Sequence, residues 1–176
     1  MRGYFAIGAE GISKSMNLGN LMRTAHGFGA SFLFTVNAHY TAKMSPSDTS
    51  KAYKHLPYYA WSDVSEMALP RGCQLVGVEL FEGASELPSF RHPSQAAYVL
   101  GPERGSLSDE MLERCDHVVK IPTSFCINVA MAGAIVMYDR VRTLGQFPPR
   151  PVRPGGSAPR PKSSHGAQKV RRNSAD

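Results

Sequence analysis

The chain has 176 residues, with 20 Lys and Arg against 14 Asp and Glu and a net charge of +6. Seven of the basic residues and one acid fall in residues 145–176, so residues 1–144 balance at 13 of each and are neutral. A neutral body of this length can bury a substantial core and, at 42% hydrophobic, is not a disordered chain. No apolar run approaches the ~18–20 residues that cross a bilayer, and Tyr4–Ala9 is too short for a signal-peptide core. Cys73, Cys115 and Cys126 are odd in number and widely spaced, which suggests neither a disulfide framework nor a metal site. A reducing cytoplasm is the expected compartment.

Strand and helix signals alternate along residues 1–144. Tyr4–Ala9 predicts a short strand, and Gly8-Ala9-Glu10-Gly11 at its end lacks dinucleotide-loop spacing and reads as a turn. Asn17–Gly29 carries Leu18, Leu21, Met22, Ala25 and Phe28 at helical spacing, with Asn17 suited to an N-cap and Gly27 and Gly29 to the end. Ser31–Val36 predicts a strand. Residues 37–57 have a weak pattern, with Lys43, Lys51 and Lys54 among Ser, Thr and Tyr. Val64–Leu69 predicts a short helix, Gln74–Leu80 a strand and Ala96–Leu100 a strand running into Gly-Pro-Glu-Arg-Gly. Ser108–Arg114 predicts a helix capped by Ser108, with Asp109 and Glu110 at the positive end of its dipole. His117–Ile121 predicts a strand stopped by Pro122, and Asn128–Leu144 the longest helix. Residues 145–176 hold six of the 13 prolines and no apolar periodicity, the composition of a disordered basic tail. The alternation predicts an α/β fold with a mostly parallel sheet flanked by helices. In such sheets ligands sit at the carboxyl ends of strands.

Three segments stand where chemistry would sit. Asn17-Leu18-Gly19-Asn20-Leu21-Met22-Arg23 puts a planar guanidinium on a helix, either as an exposed surface residue or as a phosphate clamp. Leu100-Gly101-Pro102-Glu103-Arg104-Gly105 forces a shaped loop after a strand, and Glu103 suits hydrogen bonds to a ligand or to a neighbouring loop. Ile121-Pro122-Thr123-Ser124-Phe125-Cys126-Ile127-Asn128 leads from a strand into a helix start, where amides and the Asn128 side chain offer donors. Asn128 also reads as a plain N-cap, and Cys126 as a pocket-lining thiol. The small residues Ala130, Ala132, Gly133 and Ala134 predict tight packing or a subunit contact.

In order and spacing the three segments resemble those of the SPOUT superfamily of RNA methyltransferases, in its SpoU/TrmH branch of ribose 2′-O-methyltransferases. The resemblance covers about residues 4–144, with Asn17–Ala25, Gly101–Gly105 and Ile121–Val129 as its motifs. It implies a deep C-terminal trefoil knot, S-adenosylmethionine (SAM) as cofactor, no metal, and a homodimer. It further implies an RNA substrate, with transfer RNA favoured over ribosomal RNA because no added RNA-binding domain is visible. By position it assigns Arg23, Asn20 and Asn128 to catalysis. Cofactor contacts are assigned to Val78, Glu79, Leu80, Gly101, Glu103, Ile121, Cys126, Ile127 and Asn128. Cys126 departs from the serine usual in the family. This departure and the basic tail motivate an alternative, a non-catalytic RNA-binding or assembly factor on the same fold.

Overall fold

The computed structural model describes residues 3–39, 52–149 and 154. Lys43, Lys51 and nearly all of the predicted tail lie outside those residues. The elements in chain order are β1 (Tyr4–Glu10), α1 (Ser15–Phe28), β2 (Phe32–Val36), β3 (Tyr58–Trp61), β4 (Gln74–Val78), β5 (Ser85–Glu86), β6 (Gln95–Leu100), α2 (Asp109–Arg114), β7 (His117–Lys120) and α3 (Val129–Leu144). The seven strands form one sheet in the order β3-β2-β1-β6-β4-β7-β5, and every pairing is parallel.

Both faces of that sheet are covered, as a parallel sheet requires. Along β1 and β6 side chains alternate between two cores. Phe5, Ile7, Tyr98 and Leu100 face α1 and α3, while Ala6, Ala97 and Val99 face α2 and the segment around Val64–Met67. Gly133 lets α3 approach the sheet: a Cβ there would lie 2.5 Å from Leu21 Cδ1 and 3.3 Å from Ile7 Cδ1. The small residues Ala130, Ala132 and Gly133 are therefore buried inside the chain. Of the two expected roles, tight packing and a subunit contact, they serve tight packing.

The structure corrects several boundaries. Helix α1 begins at Ser15, ahead of Asn17, with Asn17 N and Leu18 N donating to Lys14 O, and Asn17 turns its amide to other partners. It ends at Gly29, whose φ of 75° lets its N–H reach the carbonyls of Ala25 and His26. Ser108 and Asn128 do cap α2 and α3, accepting from Met111 N and from Ala130 N and Met131 N respectively. Val64–Leu69 is not a helix. Asp63 folds a turn by accepting from Ser65 Oγ and Glu66 N, and the Arg114 guanidinium claims the carbonyls of Val64 and Met67. Strand β3 has no clear signal in the sequence, because its apolar run is short and comes after a weakly patterned segment.

At the amino ends of β1 and β6 lies a buried polar network. Arg140 has no exposed surface and donates to the carbonyls of Pro93, Ser94 and Tyr4 and to Tyr98 Oη. His92, 4% exposed, sits 2.7 Å from Tyr98 Oη through Nδ1 and 3.0 Å from Asp139 Oδ2 through Nε2. The carboxylate only accepts, so Nε2 carries the proton and Nδ1 accepts from Tyr98. Burial lowers the His92 pKa below its ordinary 6.5, against the opposing pull of Asp139. Burial also pushes the Tyr98 hydroxyl up to about 12. The native state thus holds His92 neutral, whereas the unfolded chain protonates it below about pH 6.5. Stability should be full above that pH and decline as pH falls below it. Urea titrations between about pH 5 and 7 should show a shallower decline in His92→Gln than in wild type.

Candidate functional site

A cavity of about 360 Å³ opens at the carboxyl ends of β6, β4 and β7. It lies beside the point where the chain order reverses, with β1 leading to β2 on one side and β6 on the other. Open parallel sheets bind ligands at such points. Val78, Glu79, Leu80, Gly101, Glu103, Ile121, Cys126, Ile127 and Asn128 all line it, so residues up to 50 positions apart in sequence meet in one pocket. Leu100, Val129 and Ala132 add apolar wall, and Lys14 and Asn17 add a polar edge from the start of α1. Its size and its mixture of apolar wall and few polar groups suit a nucleoside-sized ligand.

The loops around the cavity are tied together by carboxylates. Glu103 accepts from Ser13 N (2.9 Å), Ser13 Oγ (2.9 Å), Lys14 N (3.0 Å) and Asn17 Nδ2 (2.9 Å). Of the two roles its position allows, Glu103 takes the second and locks the β1–α1 loop. Burial acts to raise its pKa, but the hydrogen bonds from Ser13 and Asn17 outweigh this and lower it. Glu79 accepts from Leu80 N at 3.0 Å and from Leu107 N at 2.9 Å. A Cβ on Gly101 would stand 3.2 Å from Glu79 Oε2 and from Leu107 N, which explains the glycine. Glu10, 8% exposed, accepts from Ser108 N at 2.9 Å and from Ser108 Oγ at 2.6 Å. Glu103 thus ties the start of the loop between β6 and α2 to the start of α1, and Glu79 and Glu10 hold its end at Leu107 and Ser108.

Asn17 joins the three motifs. It is 6% exposed, and its Nδ2 donates to Glu103 while its Oδ1 accepts from Asn128 Nδ2 at 3.0 Å. Asn128 meanwhile caps α3 through Oδ1, so it serves as N-cap and as bridge together. Both amides are oriented by their partners, and neither can turn without breaking the chain.

Arg23 and Asn20 stand elsewhere. Both lie on the exposed face of α1, and neither lines the cavity. Arg23 is six residues beyond Asn17, about 9 Å further along the helix axis. Helical side chains lean toward the N-terminus, so its long stem leans back toward the cavity end. Cys126 is an exposed cavity-wall thiol.

Asn17 and Glu10 are the site residues that sequence reasoning misses. Local pattern assigns Asn17 to a cap and Glu10 to a turn. A carboxylate closing a wholly apolar, buried strand is the available signal, since such a group needs partners.

Residues 4–138 match the SpoU rRNA Methylase family. The chain is also 26% identical over 147 residues to the mouse (Mus musculus) protein named tRNA (guanosine(18)-2′-O)-methyltransferase TARBP1. That match takes in 74% of this chain and 9% of the mouse protein, so the chain spans about a tenth of the length of this curated relative. Among solved structures, it resembles the SpoU methyltransferase AviRb from Streptomyces viridochromogenes in complex with AdoMet. The TM-score is 0.71 at 21% identity, over 81% of this chain and 61% of that one. It also resembles a chain solved in work on 2-OH methylation of C/U34 on tRNA, with TM-score 0.71 and 23% identity, over 83% of this chain and 94% of that one. These likenesses establish the fold, a parallel α/β sheet flanked by helices, and the match over residues 4–138 establishes the lineage: the chain belongs to the SpoU rRNA Methylase family.

Proposed function

We propose that the protein is a SAM-dependent RNA methyltransferase that acts on a ribose 2′-OH, with transfer RNA as its substrate class. The observation that carries this reading is the cavity at the carboxyl ends of β6, β4 and β7, walled by all nine residues that the family resemblance assigns to the cofactor. Apolar Val78, Ile127 and Val129 offer contact to an adenosine, and the fixed backbone of Gly101–Leu107 offers a shaped polar edge. Bound there, SAM would supply an electrophilic methyl group carried on a sulfonium.

The chain's own part is alignment and charge. Transfer breaks a methyl carbon–sulfur bond, forms a methyl carbon–oxygen bond and releases the ribose hydroxyl proton. Loops locked by Glu10, Glu79 and Glu103 would hold both partners in line, which lowers the barrier by prepaid orientation. Arginine stays protonated in almost any setting. Arg23 would therefore act as an electrostatic stabiliser of the developing alkoxide, with a substrate phosphate taking the proton. Asn20, three residues away on the same helix face, would orient the same ribose. Asn128 would act through Asn17 and the start of α3.

The wider assembly is proposed on the same basis. Residues 1–144 form the methyltransferase domain, and the family resemblance carries a C-terminal trefoil knot. A homodimer is supported by an exposed apolar stripe on α3, where Met131, Ile135 and Tyr138 are 60%, 37% and 56% exposed at spacings of four and three. The basic residues of 145–176 would attract phosphate without regard to sequence. The compartment is the cytoplasm. No helix among the described residues is long and apolar enough to cross a membrane.

Calorimetry with SAM and labelled methyl transfer onto bulk transfer RNA test the reading together. Saturable SAM binding with ribose methylation is expected. RNA binding without any SAM binding at millimolar concentration would instead favour the non-catalytic factor, consistent with a thiol at Cys126.

A further inference from the structure

Charge is divided unevenly within the neutral body. Residues 11–62 hold five basic residues against one acid, Asp48, whereas residues 63–144 hold seven against eleven. Lys43, Asp48 and Lys51 lie outside the described residues. Those described between Gly11 and Ser62 carry no carboxylate side chain at all, and their cations are Lys14, Arg23 and Lys54. Helix α1 is acid-free from end to end, its first turn included.

Packing gathers part of that charge onto one surface. Ala52–Lys54 form a single turn of 3-10 helix that packs on α1. Ala52 and Leu56 are buried in the same core as Leu21 and Ala25, and Ala52 O accepts from His55 N and Leu56 N at 2.8 Å each. The turn is thus held from beneath, while Lys54 and His55 stand exposed. The His55 ring stacks on that of His26, with centroids 5.4 Å apart and planes at 11°. Arg23 and His26, both exposed, are three residues apart on α1, so they are surface neighbours at about 5–6 Å. Arg23, His26 and His55 therefore make a continuous path, and Lys54 adjoins its far end. The turn leads into β3, whereas α3 packs against β6 on the other side of β1, so the apolar stripe of α3 and this path lie over different parts of the sheet.

The path is a row of donors. A guanidinium and an ammonium make charge-assisted hydrogen bonds to phosphate oxygens. An imidazole offers at least one N–H whatever its protonation. A carboxylate among them would repel phosphates and tie up the cations, and the described stretch has none. One strand fits this pattern in particular: an RNA whose target ribose lies at Arg23 must carry its neighbouring phosphates across the adjoining surface.

We propose that His26, Lys54 and His55 dock the phosphate backbone of the RNA substrate beside the methylated nucleotide, continuing from Arg23 along α1. The inference rests on the methyltransferase reading and extends it to where the substrate lies. Phosphate contacts fix the register and orientation of a strand without reading its sequence. The path therefore positions RNA and leaves the choice of nucleotide to the cavity.

Filter binding of bulk transfer RNA to the full-length protein, at salt from about 50 to 200 mM, tests this. Lys54→Gln should weaken binding about threefold and reduce the slope of log affinity against log salt by about 0.7–0.9, the share of one phosphate contact. Lys54→Arg keeps the charge and should restore both. The double variant His26→Ala/His55→Ala should also bind RNA more weakly. In methyl-transfer assays the KM for RNA should rise by the same factor in Lys54→Gln, with kcat and SAM affinity unchanged. The basic residues of 145–176 are common to every variant and cancel in the comparison. Wild-type affinity and slope in Lys54→Gln and in the double histidine variant, with methyl transfer intact, would overturn the inference. If wild type neither binds SAM nor methylates, yet Lys54→Gln still lowers the slope, the docking path stands and the methyltransferase reading falls.

Discussion

Arg140→Met should lower the unfolding free energy by about 3–5 kcal/mol, a large part of the ~5–15 kcal/mol available to a domain of this size. The side chain is fully buried on α3 and its guanidinium donates to three carbonyls and one phenol. It also lies over the rings of Phe5 and Tyr98, 5.4 and 5.8 Å from their centroids. Methionine fills a similar volume but leaves those acceptors unmatched, at about 1–3 kcal/mol for each one that water cannot reach. Arg140→Lys should recover only part of the loss, because a single ammonium cannot span acceptors on Tyr4, Pro93, Ser94 and Tyr98 at once. Urea unfolding followed by circular dichroism checks both variants. A loss under about 1 kcal/mol in Arg140→Met would mean that water satisfies the acceptors and that the network does not fasten α3 to the sheet.

Periodicity alone carries most of the fold. Strands β1, β2, β4, β6 and β7 and helices α1, α2 and α3 fall within two or three residues of where apolar spacing, caps and glycines place them. The failures share a cause. Val64–Leu69 has a helical look, but Arg114, 45 or more positions away, takes its carbonyls. The small residues of Ala130–Ala134 leave tight packing and a subunit contact both open, and the burial of Gly133 against Leu21 and Ile7 shows the packing. Long-range partners decide both, and local pattern holds no record of them. The same limit applies to the site. The wall of the cavity is legible because three loops each carry unusual residues at a strand end. The Asn17 bridge is not, because it joins positions 86 and 111 residues apart in sequence.

Arg23→Ala should reduce methyl transfer by about 10²–10³-fold, the range seen when a single stabiliser of developing negative charge is removed. In the proposed reaction the ribose hydroxyl is a weak acid, and among the described residues no carboxylate lining the cavity is free to take its proton. Glu10, Glu79 and Glu103 each spend their oxygens on loop amides or hydroxyls. Stabilising the alkoxide therefore falls to a cation, and Arg23 is the positional candidate. Its place outside the cavity wall makes the prediction sharp, because SAM affinity by calorimetry should not change. Exposure on α1 likewise predicts a stability change within about 0.5 kcal/mol. Arg23→Lys keeps the charge but loses the planar fork, so it should retain intermediate activity. A drop in SAM binding equal to the drop in rate would place Arg23 in cofactor binding. Full activity in Arg23→Ala would leave the alkoxide to be stabilised by Lys14 at the cavity edge, and Lys14→Ala would then become the decisive variant.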